Sequence, residues 1–136
     1  MDFSSAAQTM IAITLITIPT IEFGGYFLLS QLPKRDVIQS DFQAAFFRAG
    51  HAHAGVLVLL VLLAQIFIDV LAWNNTALWT LRIGFFASPL LVSGGFFFSA
   101  MTDPEKPNGL IVLIYIGAIV LAISLLALGI GLLFAL

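Results

Sequence analysis

No cysteine occurs in this chain, which excludes disulfides, thiol chemistry and iron–sulfur clusters. Charge is nearly as scarce. Lys and Arg number five and Asp and Glu seven in 136 residues, far below the roughly 25% charged residues of a soluble domain. The net charge is −2 and no basic patch is present, which argues against nucleic acid as a partner. The length leaves room for one domain, residues 1–136, and for no second.

What is present in excess is apolar surface. The chain is 61% hydrophobic, more than a protein this small can hide from water, so its solvent must be lipid. Four apolar runs predict helices over about 5–30, 42–72, 77–101 and 109–136. Each reaches the roughly 20 residues that cross a bilayer. Continuous runs of this length mean helices rather than barrel strands. The connections between them are short, so neighbours run antiparallel. The expected fold is all-α, an integral-membrane four-helix up-and-down bundle. The first run is too long for the core of a signal peptide and has no positive segment before it, so it reads as a retained span. Trp73 and Trp79 sit at interface level, and Asn108 is placed to cap the fourth helix. Lys34 and Arg35 in the first loop and Lys106 in the third put those loops in the cytoplasm and both termini outside. The membrane expected is a bacterial or archaeal inner membrane.

Pro19-Thr20-Ile21-Glu22-Phe23-Gly24-Gly25-Tyr26-Phe27 is echoed by Pro89-Leu90-Leu91-Val92-Ser93-Gly94-Gly95-Phe96-Phe97. Both segments lie in odd-numbered helices. Two duplicated helix hairpins would explain the echo, and so would chance, since Gly and Pro are common in membrane helices. The glycine pairs would let helices 1 and 3 approach closely.

Helix 2 carries the polar chemistry. At about 100° per residue, Arg48, His51, Gly55, Val58, Leu62, Gln65 and Asp69 fall on one face, which reads as an inward stripe. Asp69 and Arg82 stand at similar height on either side of the second turn, and each is the other's nearest opposite charge. They are expected to form a structural ion pair. Toward the first loop, Glu22 and His51 both lie roughly 13 Å in from the helix ends. Ser93 of helix 3 and Tyr115 or Gly117 of helix 4 fall near the same layer. A buried polar site of Glu22, Arg48, His51, Ser93 and Tyr115 is therefore expected, in which Arg48 or His51 neutralises Glu22. The bland alternative is a satisfied cluster that fixes helix register.

The two histidines are spaced i, i+2, so their rings point about 200° apart and cannot chelate one metal together. His51 shares the polar stripe. His53 lies on the face of Ala49, Leu57, Leu60 and Ala64, which reads as lipid- or subunit-facing. Gly50-His51-Ala52-His53-Ala54 resembles the His-x-His helix of heme–copper oxidase subunit I and its small relatives. That resemblance covers about five residues and implies heme bound on opposite sides of one helix. His51 and His53 would then be cofactor ligands, and a heme at His51 would have Met10, Met101 or another subunit completing the iron, or would leave it five-coordinate. In size alone the chain is also similar to small membrane isomerases of the hydroxylaminobenzene mutase type.

Three functions stay open on these residues. One is redox or electron transfer with heme or a transition metal, the metal-ligand candidates being His51, His53 and Glu22. The second is a proton-coupled channel or transporter using Glu22, Arg48 and His51. The third is an accessory subunit of a larger membrane complex. Besides the lipid bilayer, a second copy or another membrane subunit is the expected partner, because four helices barely enclose a site.

Overall fold

The computed structural model describes residues 3–31 and 36–135. Lys34 and Arg35, which carry part of the orientation argument, lie outside the described residues. Four long helices form: α1 (Ser5–Gln31), α2 (Asp41–Ile68), α3 (Asn75–Ser99) and α4 (Val112–Leu133), the last preceded by a 3-10 turn at Gly109–Ile111. Each is long and apolar enough to cross a membrane.

Every span opens on a side-chain cap. Ser4 Oγ accepts from Ala7 N at 3.1 Å, Ser40 Oγ from Gln43 N at 3.0 Å, and Asn74 Oδ1 from Ala77 N at 2.9 Å. Asn108 Oδ1 accepts from Leu110 N at 2.8 Å. These hydroxyl and amide oxygens satisfy amides that the first helical turn leaves free, which matters most at a membrane interface. The second helix ends at Ile68 rather than near 72. The end tightens there, with the Val70 and Leu71 amides donating to the i−3 carbonyls of Phe67 and Ile68 at 3.2 and 3.1 Å, and Asn74 then caps α3.

The helices pack in chain order. α3 is central, with α2 on one side and α4 on the other, and α1 leans on α2. α1 touches α3 only lightly, and no α1–α4 contact is seen among the described residues. The bundle is therefore flattened. Close α3–α4 approach depends on bare glycine backbone. A Cβ on Gly95 would stand 2.7 Å from the Ile114 amide nitrogen, and one on Gly117 would stand 2.9 Å from that of Val92. The glycine pairs thus do not bring helices 1 and 3 together. Gly24 and Gly25 receive a side chain of α2, and Gly95 receives the backbone of α4. In lipid every helix face is apolar, so small residues rather than hydrophobicity decide which faces meet.

Two apolar clusters hold the ends. Near the second loop, Val61, Ala64, Ile68, Leu71, Leu81, Phe85 and Leu128 are packed together. Near the first and third loops, Ile38, Phe47 and Ala100 are joined by Phe27 and Phe97. Phe47 meets Phe97 edge-on at 5.3 Å, a favourable aromatic geometry. Buried Gln43 ties the same end by donating to the Ala100 carbonyl at 2.9 Å. Ser40 Oγ donates to the Pro104 carbonyl. Between the clusters the packing opens into a cavity.

Candidate intramembrane cavity

One end of the bundle is pinned by charge. Arg82 is 1% exposed. Its Nη2 pairs with Asp69 Oδ1 and its Nη1 donates to Gln65 Oε1 at 2.7 Å. Ser4 completes the group: its amide donates to Asp69 Oδ2 at 2.8 Å and its hydroxyl to Oδ1 at 2.7 Å. Three helices are thereby joined at one level. Burial alone would raise the Asp69 carboxyl. The hydroxyl and amide of Ser4, with the Arg82 guanidinium, outweigh that and hold it below its ordinary value. Ser4 went unread in the sequence, although a serine just ahead of an apolar run is a helix-start signal.

The middle of the bundle holds a cavity of about 460 Å³ between α1, α2 and α3. Thr14, Thr17 and Thr20 line it from α1, His51 and Val58 from α2, and Ser93 from α3. The Ser93 side chain is buried, with 7% residue exposure, and its Oγ has no hydrogen-bond partner among the described residues. In an apolar surrounding that omission costs roughly 1–3 kcal/mol. The threonine hydroxyls differ: each donates to its own helix, Thr20 to the Thr17 carbonyl, Thr17 to Thr14 and Thr14 to Met10. Their lone pairs remain available. These threonines repeat every third residue, a pattern visible in the sequence but unread there.

His51 stands where two spaces meet. It lines the cavity, and it also lines a groove on the other side of the α1–α2 contact with Glu22, Tyr26 and Gly55. The ring lies across the glycine pair of α1. A Cβ on Gly24 would be 3.5 Å from its Nδ1, and a Cβ on Gly25 would be 3.1 Å from both Cε1 and Nε2. No hydrogen bond to the ring occurs among the described residues.

The five side chains expected in one layer are therefore divided. His51 and Ser93 share the cavity, and His51 and Glu22 share the groove. Arg48 is exposed and lines a separate hollow with Leu28, Leu29 and Asp41. Tyr115 is 62% exposed. The reason for Tyr115 is the flattened bundle: α4 meets α3 and does not close over the layer. The reason for Arg48 is angular. The α2 stripe is an arc about 100° wide, with Arg48 at one margin and Gln65 at the other. Gln65 is fully buried and Arg48 is not, so the stripe is not inward along its whole length.

The second histidine is exposed, at the edge of a helix face that is otherwise covered. Its face packs on α3, where Leu57 and Ala64 are buried. His53 sits at the exposed rim, its ring 5.1 Å from that of Phe96. Its Nδ1 lies 2.7 Å from the Ala49 carbonyl. A carbonyl can only accept, so Nδ1 carries a proton, and in the neutral ring the lone pair is on Nε2. Met10 is buried and Met101 is 61% exposed, and neither lines a cavity with His51. Among the described residues no three His, Asp or Glu side chains cluster as a metal site would require. No protein family, curated protein or solved structure matches this chain.

Proposed function

We propose that this is a proton-handling membrane protein in which His51 passes protons between Glu22 and the α1–α2–α3 cavity. The observation that carries this reading is the position of His51. Its imidazole is the shared wall of the Glu22 groove and the Ser93 cavity, and its nitrogens make no hydrogen bond among the described residues. Histidine is the side chain whose charge changes near neutral pH, and intramembrane carboxylate and histidine groups mark proton routes. Beyond His51, a broken line of polar groups runs toward the second loop: Thr20, Thr17, Thr14, Gln65, Arg82 and Asp69. From Glu22 to Ser4 that line covers roughly 27 Å of helix rise. The buried, unpartnered Ser93 hydroxyl supports a polar occupant of the cavity, either water or a solute with a hydrogen-bonding atom.

Liposomes loaded with a pH-sensitive dye test it. The wild type should dissipate an imposed pH gradient faster than empty vesicles, and Glu22→Gln and His51→Asn should each slow that flux about tenfold or more, the scale of losing a positioned proton-transfer group. Equal rates in wild type and both variants remove the reading.

Heme- or metal-linked redox remains a second reading, and His53 rather than His51 supports it. The Ala49 carbonyl holds Nδ1–H and leaves Nε2 free, as ligating histidines are usually arranged. The edge of His51 bearing Nε2 is turned toward α1, where a macrocycle would displace the helix. Hemin titration should then give a Soret shift that His53→Ala abolishes and His51→Asn keeps. No shift in the wild type ends this second reading.

A further inference from the structure

We propose that two copies of this chain pair through the α1–α2 groove, placing Glu22 of each against Arg48 of the other. The inference starts from two exposed, opposite charges. Neither Glu22 nor Arg48 has an ion-pair or hydrogen-bond partner among the described residues. Glu22 lies about 13 Å in from the end of α1 and Arg48 about 10 Å in from the start of α2. Lipid tails neutralise neither, so exposed charge at this depth calls for protein.

Both charges belong to one face. On α1, Ile18, Glu22, Gly25, Tyr26 and Leu29 line the groove, and on α2 Gly55 and Leu59 do. Arg48 continues the α2 side one heptad before Gly55. Leu29 borders both the Glu22 groove and the Arg48 hollow, so the two are neighbours. A two-fold axis along the membrane normal keeps depth unchanged. It therefore brings Glu22 of one copy within about 3–4 Å in height of the partner's Arg48, a mismatch an arginine side chain spans. The pairing occurs twice and is self-complementary, as an isologous interface requires.

The groove is also shaped for backbone approach. A Cβ on Gly55 would meet nothing within 4 Å, so the α2 backbone is open there. Past Thr14 no residue of α1 is buried, and Tyr26 and Leu29 are 68% and 66% exposed. A second copy would cover this half of α1. It would also set the partner's Arg48 beside the Glu22–His51 groove, adding a fixed positive charge to the proton site. The proposal rests on the two charges and the open groove and stands whether or not His51 carries protons.

The chain has no cysteine, so single cysteines can report on contact in native membranes. Leu59→Cys, in the groove, should give a copper-phenanthroline-crosslinked dimer, and Ile123→Cys, exposed on α4, should not. In the Leu59→Cys background, Glu22→Arg and Arg48→Glu should each lower the dimer fraction about tenfold, since like charges then face each other. The double swap should restore it. A monomeric Leu59→Cys protein, a crosslinked species containing a different polypeptide, a dimer indifferent to both reversals, or a swap that restores nothing would each overturn the proposal. Dimers without proton flux would remove the proton reading and leave this one standing.

Discussion

The imidazole of His51 rests against the bare backbone of Gly25: a Cβ there would stand 3.1 Å from Cε1 and Nε2. Gly55, four residues along α2 from His51, has open space where its side chain would be. The two glycines therefore respond differently to the same substitution chemistry.

Gly25→Val is expected to drive the ring off α1, because a β-branched side chain cannot swing away from its own Cβ. Gly55→Ala is expected to leave the ring in place and to stabilise α2 by about 0.5–1 kcal/mol. The chain has two histidines, so in a His53→Asn background the imidazole nitrogen resonances report His51 alone. They should shift with Gly25→Val and stay with Gly55→Ala. A silent Gly25→Val spectrum would mean that the ring does not lie on the glycine pair.

Asp69→Ala leaves the Arg82 guanidinium buried without its counter-ion. Breaking such a pair costs about 3–5 kcal/mol. The charge left behind is that of Arg82, whose side chain is 2% accessible, with only the neutral Gln65 and Ser4 oxygens still accepting from it, so the full range applies. Asp69→Ala combined with Arg82→Met should recover most of that loss, because no charge is then stranded. Unfolding in mixed micelles measures both variants. A double variant no better than the single would show that the pair contributes more than neutralisation.

The same carboxylate gives a pH dependence with a defined sign. Burial acts to raise Asp69, but Ser4 and Arg82 hold it below its ordinary value. The stabilisation is therefore complete above the unfolded carboxylate's value of about 3.9. It is lost as pH falls through the lower, folded one. Between pH 7 and 5 the wild type and Asp69→Asn should show parallel stability. Below about pH 4 the wild type should fall toward the variant. A constant gap down to pH 3 would contradict the assignment.

Depth was legible in the sequence and azimuth was not. A helix rises about 1.5 Å per residue, so counting from the turns places Asp69 level with Arg82 and Glu22 near His51, and the structure brings Asp69 to Arg82. Which way a side chain points depends on which neighbours a helix chooses, and in lipid all faces are apolar. That is why Arg48 falls on the open margin of its arc and Tyr115 on the outer side of α4. It is also why the α2 face that carries His53 packs on α3, with His53 itself at its exposed rim. The glycines held the missing information: Gly25, Gly50 and Gly95 each mark a contact, with His51, with Phe96 and Phe97, and with Ile114. Their partners, however, could not be read from spacing.

Ser93 separates a structural cluster from a binding site. Ser88, one helical turn and a fraction earlier, donates to the Gly84 carbonyl at 2.7 Å, so Ser88→Ala should cost about 0.5–1.5 kcal/mol, the net worth of an ordinary hydrogen bond. Ser93 Oγ has no such bond. If the cavity awaits an occupant, Ser93→Ala removes an unsatisfied polar group and should leave stability unchanged or raise it by about 1 kcal/mol, while slowing proton flux. A loss of stability as large as that of Ser88→Ala, with flux untouched, would mean that the hydroxyl already serves the fold and that the cavity is packing space alone.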